Sequence, residues 1–172
     1  VTSVIKGASG RRLTSIECHD IQCYIAQAVV VGGVRRAAMI SLSNLSDGRM
    51  AKAKSGMWWE MDGHRALANN SVVYTDKPDV GAWMSEWQNI YESKSGERGV
   101  FNRQAAKNMM PERRDNDYDF GTNPCSEILL RSRGLCNLSE VVARKEDGKQ
   151  SLMAKIEVAT ILGTFQSCLT SF

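Results

Sequence analysis

The feature that most constrains this fold is a succession between Ser71 and Phe101: a short apolar stretch, a helical pattern, then a second short apolar stretch. "NNSVVYT" is rich in β-branched residues and predicts a strand over 71–75. From Asp79 to Gly96, Val80, Trp83, Met84, Trp87, Ile90 and Tyr91 recur at a helical period, which predicts an amphipathic helix with its tryptophans in the core. "GVF" at Gly99 to Phe101 predicts the next strand. Strand, helix and strand in that order form the unit from which parallel sheets are built.

The rest of the chain repeats this alternation. Thr14 and Glu17 stand in capping-box spacing ahead of Ile21, Tyr24, Ile25, Ala28 and Val29, which predicts a helix over Ser15–Val31 stopped by Gly32-Gly33. "RRAAMISLS" predicts a buried strand over Ala37–Leu42, followed by a loop and a short helix. "GMWWEMDGHRALA" has glycines, aromatics and charges without a period, and reads as a loop. After the central unit come a helical turn at "NRQAAKN", a long polar loop at "PERRDNDYDFGTN", a strand at "LCNLSEVV" and a turn at "EDGK". Leu152, Ile156, Ala159, Leu162, Phe165 and Leu169 then mark a helix from about Ser151 to the end. The expected class is α/β with a largely parallel sheet, one domain over 1–172. Because the sequence lacks an initial methionine and stops at Phe172 in mid-pattern, an excerpt of a longer protein is expected.

Composition excludes several classes. With 42% hydrophobic and 24% charged residues, the 172-residue chain suits a globular domain with one modest core. No apolar run approaches the roughly 20 residues of a membrane span, and the start lacks the layout of a secretory signal. Five cysteines without small-domain spacing argue for reduced thiols, so a cytoplasmic protein is expected. A net charge of +3 with scattered basic pairs gives no nucleic-acid footprint.

Chemistry concentrates in "GTNPCSEILLRSRGLCNLSEV", Gly121 to Val141. Pro124 biases Asn123 toward an extended conformation, which would set Asn123, Cys125 and Glu127 on one face of a loop. If the "RSRG" turn folds the segment back, Cys136 can face Cys125. No histidine stands in the stretch. A thiolate nucleophile needs a base or a cation to lower its pKa, whereas a thiol that gives up a hydrogen atom needs its neutral S–H bond.

These residues, with "GTNPCSEI" followed by "CNL" and with "GGVRRAAMISLS", "RALANNSVVY" and "GERGVFN", resemble the catalytic subunit of ribonucleotide reductase. The Asn-Pro-Cys form is similar to the adenosylcobalamin-dependent class II enzymes of the monomeric triphosphate-reductase type. The resemblance implies part of a ten-stranded α/β barrel whose central loop carries the radical cysteine. It implies a ribonucleotide substrate, reduced to the 2′-deoxyribonucleotide for DNA synthesis, with adenosylcobalamin as cofactor and thioredoxin as reductant. Cys125 would be the thiyl radical site that abstracts the ribose 3′ hydrogen. Glu127 would be the general base at the 3′ hydroxyl, and Asn123 would hold the sugar, with Thr122 beside it in the substrate site. Cys136 would be one of two thiols that end as a disulfide, its partner lying upstream of residue 1. Deoxyribonucleotide effectors would meet Arg11 and Arg12 in a first effector loop, and Arg65, Asn69 and Asn70 in a specificity loop over Met57–Asn70. No metal ligand is assigned.

Rival readings remain at this point. A diphosphate reductase or a class I enzyme with a separate radical subunit is the nearest. A hydrolase with Cys125 as nucleophile would require His19 or His64 beside it. A zinc or nucleotide-binding module would make the cysteines structural, with His19 and Cys23 four apart on a helix as its best pair. Cys18, Cys23 and Cys168 otherwise read as packing residues, and Gly32-Gly33 as a helix cap.

Overall fold

A computed structural model describes residues 1–30, 38–94, 96 and 98–169. The chain divides into two compact units, Val1–Ser132 and Arg133–Phe172.

The first unit is built on a three-stranded parallel sheet, β1 (Met39–Asn44), β2 (Ala68–Tyr74) and β3 (Gly99–Asn102), in that spatial order. Met39 pairs with Ala68 and Ser71 with Gly99, so β2 is central. The predicted parallel α/β arrangement is therefore present. Strand β2 starts at Ala68, three residues before the predicted start, and takes in Asn69 and Asn70. Asparagine is a weak strand former, but pairing along the full length of β1 overrides that preference. Ala68 and Val72 are fully buried, and burying a valine side chain contributes about 2 kcal/mol.

The helices follow their caps. Helix α1 (Thr2–Gly7), which the sequence pattern did not predict, precedes α2 (Ser15–Gln27). Helix α2 opens on the expected capping box: Glu17 N donates to Thr14 Oγ1 at 3.4 Å, and Thr14 N donates to Glu17 Oε2 at 2.8 Å. It ends before Val31 because Ala28, Val29 and Val30 donate three residues back, which tightens the last turn. The predicted stop at Gly32-Gly33 and the predicted strand start at Ala37 lie outside the described residues. Asp47 caps the short α3 (Gly48–Ala51), as its side chain accepts from Met50 N at 3.0 Å. The stretch read as a loop holds α4 (Trp58–Met61) and a 3-10 turn over Gly63–Leu67. Lys54 pins it, donating to the Ala68 carbonyl with its ammonium 5.2 Å from the Trp58 ring centre.

Helix α5 (Val80–Ser93), capped by Asp79, corrects the expected core. Trp83 and Trp87 are 42% and 49% exposed, whereas Glu86 is only 2% exposed. Glu86 turns inward because it pairs with the buried Arg98, whose Nη1 also donates to Ser43 Oγ of β1 at 3.1 Å. Removing one partner of such a pair costs about 3–5 kcal/mol, so the ion pair sets the helix's rotation. Asn102 then caps α6 (Arg103–Asn108). Arg103 Nε donates to the carbonyl of the buried Phe120 at 2.7 Å, which seats the small antiparallel hairpin of β4 (Gly121–Thr122) and β5 (Leu129–Leu130).

The second unit contains α7 (Lys149–Ser167). "LCNLSEVV" is not a strand there. A strand needs a ladder for its backbone groups, and this segment is instead tied to α7 by Asn137 Nδ2 donating to Gly163 O at 2.8 Å. Lys155 Nζ meets Asp147 Oδ2 at 2.5 Å, and this bond holds the Asp147 carboxyl down at about 2. No described helix is long and apolar enough to cross a membrane.

Two predictions follow from this packing. A Cβ on Gly99 would lie 2.6 Å from Ser71 Oγ. Gly99→Ala is expected to cost about 1–3 kcal/mol in denaturant unfolding, and the double variant with Ser71→Ala to recover most of it. The Glu17 carboxyl is held down from 4.5 to about 2, chiefly by the hydrogen bond from Arg11 and then by that from the Thr14 backbone. Because folding lowers this value, ionised Glu17 stabilises α2 above pH 4.5, and the contribution is lost as pH falls toward 2. The melting difference between wild type and Glu17→Gln is expected to be full at neutral pH and to vanish near the bottom of that window.

Candidate active site

The hairpin between β4 and β5 closes on the side chain of Asn123. Its Oδ1 accepts from Ile128 N at 3.0 Å, and its backbone N donates to Ile128 O at 3.2 Å. Ser126 N donates to Asn123 O at 2.9 Å, so Asn123–Ser126 is a tight turn with Pro124 at its second position, where a fixed φ is favoured. The expected extended alternation is absent: the bonds across the hairpin replace it. Asn123 and Glu127 nevertheless come together, because Asn123 Nδ2 donates to Glu127 Oε1. Asn123 is buried and Glu127 is exposed. The Thr122 side-chain oxygen is buried and has no hydrogen-bond partner among the described residues.

Cys125 stands at the apex, exposed and unbridged. It borders an open cleft of about 300 Å³ whose floor includes Asn69, Ser71 and Gly99 of the parallel sheet. No described residue hydrogen-bonds to its sulfur. The residue after it, Ser126, has φ 68°, a left-handed conformation that costs a non-glycine residue about 1–3 kcal/mol.

The remaining thiols differ in kind. Cys23 is fully buried, and burial, followed by the Asp20 charge, pushes it up to about 11, so it packs as a neutral thiol. Cys18 and Cys168 are exposed, contrary to the packing role expected of them. Cys136 is also exposed; it belongs to the second unit.

No family model and no solved structure matches the chain. Curated relatives do. It is 35% identical over 149 residues to the adenosylcobalamin-dependent ribonucleoside-triphosphate reductase of Lactobacillus leichmannii. It is 33% identical over 148 residues to that of Levilactobacillus brevis, and 32% identical over 146 residues to that of Lacticaseibacillus paracasei. The chain is a homologue of these reductases. Each match covers 82% of the chain but only 19% of the relative's length.

The residues that the reductase resemblance assigns to effector contacts are placed unequally. Arg11 is exposed and forks onto Glu17, Nη1 to Oε2 at 2.8 Å and Nη2 to Oε1 at 2.6 Å, while Arg12 is exposed beside it. Arg65 is turned inward. Its Nε and Nη2 each donate to Asp20 at 2.7 Å, and Nη1 donates to Asp62 Oδ2 at 2.8 Å and Ala53 O at 2.9 Å. Asn69 donates to the Pro124 carbonyl, and Asn70 is buried in β2.

Neither histidine serves Cys125. His19 Nδ1 lies 3.3 Å and His64 Nε2 3.2 Å from Asp20 Oδ1, and the His64 ring stacks on Tyr24 with centroids 4.1 Å apart. Burial raises the Asp20 carboxyl, but hydrogen bonds from Arg65 and His19 outweigh it and leave the group below its ordinary value. Asp20, Asp62 and His64 form the one cluster of possible metal ligands found among the described residues, and it includes no cysteine. The Arg65 guanidinium already bonds both carboxylates. His19 and Cys23 sit with Sγ 3.7 Å from Nδ1, both on the buried face of α2.

The sequence pattern missed Asp20 as the anchor of Arg65 and Asn69 as a neighbour of the turn. Nothing local signals either, because the partners are 45 and 55 residues apart. The strained turn gives a direct check. Ser126→Gly is expected to keep or slightly raise stability in denaturant unfolding, whereas Ser126→Val is expected to lose about 1–3 kcal/mol.

Proposed function

We propose that this chain carries the radical-cysteine turn of an enzyme that reduces ribonucleoside triphosphates to their 2′-deoxy forms, with adenosylcobalamin as cofactor and thioredoxin as reductant. One observation carries this reading: Cys125 is held exposed at a closed apex, with the Asn123–Glu127 pair beside it and no histidine bonded to its sulfur. That environment suits a thiol that must keep its proton until the whole hydrogen atom leaves. It does not suit a thiolate nucleophile.

The exposed sulfur is also what the cofactor requires of these residues, and Cys125 is the residue that would meet it. Adenosylcobalamin, when bound, supplies the one-electron chemistry that takes the hydrogen atom from Cys125 Sγ. The sulfur-centred radical then takes the 3′ hydrogen atom of the ribose. Glu127, with Oε1 engaged by Asn123, has Oε2 for the proton of the 3′ hydroxyl, which eases departure of the 2′ hydroxyl as water. Cys136 and a second thiol supply two electrons and two protons and end as a disulfide, and Cys125 Sγ–H returns its hydrogen atom to the 3′ carbon, which regenerates the sulfur radical. Asn123 orients both Glu127 and the sugar, and the Thr122 hydroxyl adds a polar group beside them.

In this reading the three parallel strands are part of a ten-stranded α/β barrel, and the Gly121–Leu130 hairpin is its central loop. Deoxyribonucleotide effectors are met by Arg11 and Arg12 near the start of α2 and by the polar residues around Asn69 and Asn70. Arg65 braces that region from within. The enzyme works in the cytoplasm.

The test is turnover by the intact protein with a ribonucleoside triphosphate, adenosylcobalamin and a dithiol reductant. Cys125→Ser is expected to abolish it, and Glu127→Gln to slow it by about 10²–10⁴-fold. Cys136→Ser is expected to abolish deoxyribonucleotide formation even in a single turnover, with thioredoxin or any other dithiol. Reduction without adenosylcobalamin, or a preference for the diphosphate, would overturn the corresponding assignment.

A further inference from the structure

The hairpin's internal bonds define its shape but not its place over the sheet. Asn123 O with Ser126 N, and Asn123 with Ile128, would keep the turn closed even if the whole apex shifted. A bond of another kind joins the apex to β2: Asn69 Nδ2 donates to Pro124 O at 2.7 Å across 55 residues. Asn69 is half-buried in a central strand, where asparagine is a poor choice for backbone propensity. Its amide is therefore better explained by what it holds.

The acceptor is well chosen for control of Cys125. Pro124 O belongs to the planar peptide unit that also contains Cys125 N and Cα. Fixing that oxygen fixes the plane from which the Cys125 side chain departs. The next residue, Ser126, is in the left-handed region, so the apex is held in a conformation it would tend to leave. Asn69 and Cys125 also border the same cleft, so a shift of the apex would change the distance from the sulfur to anything bound there.

We propose that Asn69 is a positioning residue for Cys125: through Pro124 O it fixes the reacting sulfur relative to the sheet. The kinetic consequence rests on the radical reading given above; the structural tie does not. Misplacement of a reacting atom by about 1 Å costs on the order of 10²-fold in rate.

The experiment uses the intact protein with Asn69→Asp, which keeps the shape and loses the donor, and with Asn69→Ala. Steady-state turnover is measured together with amide hydrogen exchange of the Gly121–Leu130 peptide. The expected result is kcat lower by about 10²-fold with KM within about threefold, and faster exchange confined to that peptide. Unchanged exchange or unchanged kcat in both variants overturns the proposal. Exchange that rises throughout the protein in both variants also overturns it, since Asn69 would then be a folding residue. Cys125→Ser, run alongside, separates the two levels: if it still turns over, the radical reading fails whatever Asn69 does. If it is dead while the Asn69 variants match wild type, only the positioning role fails.

Discussion

The parallel pairing of β2 with β1 on one side and β3 on the other is the constraint on which the first unit depends. It buries Ala68, Val72, Val73 and Tyr74 and aligns Ser71 against Gly99, where an added Cβ would crowd the Ser71 hydroxyl. It also presents Asn69 and Ser71 on the floor of the cleft that Cys125 borders. Removal of that register would leave the hairpin without the surface it is seated on.

Charge then orients what the sheet assembles. Two arginines are turned inward, Arg98 buried and Arg65 half-buried: Arg98 is held by Glu86 and Ser43, and Arg65 by Asp20, Asp62 and Ala53. A guanidinium withdrawn from water must find carboxylates and carbonyls in matching geometry, so each site fixes the elements that supply them. Arg98 thereby fixes the rotation of α5 and leaves its apolar stripe outward. Arg65 locks the stretch before β2 onto α2.

Part of the candidate site was legible in the chain. Asn123, Cys125 and Glu127 were selected by residue type and spacing, and the hairpin does bring Asn123 and Glu127 into contact. The geometry differs from the extended loop expected, because the Asn123 side chain satisfies Ile128 N and pulls the strand into a turn. The residues expected in the effector loops are placed unevenly for a related reason. Arg11 and Arg12 stay at the surface, but Arg65 finds Asp20, which lies too far along the chain for spacing to reveal.

The sequence by itself determined the order of α2, β1, α3, β2, α5, β3, α6 and α7, the capping of α2 by Thr14 and Glu17, and the chemical content of the Gly121–Val141 stretch. These are local properties, set by side-chain period, cap geometry and residue type within a few positions. Only the tertiary structure decided that α5 buries a glutamate and exposes its tryptophans, that "LCNLSEVV" has no strand partner among the described residues, and that Asn69 reaches Pro124. Each of these turns on a hydrogen bond or ion pair between distant segments, and the energy of such a bond exceeds the small local preference it overrides.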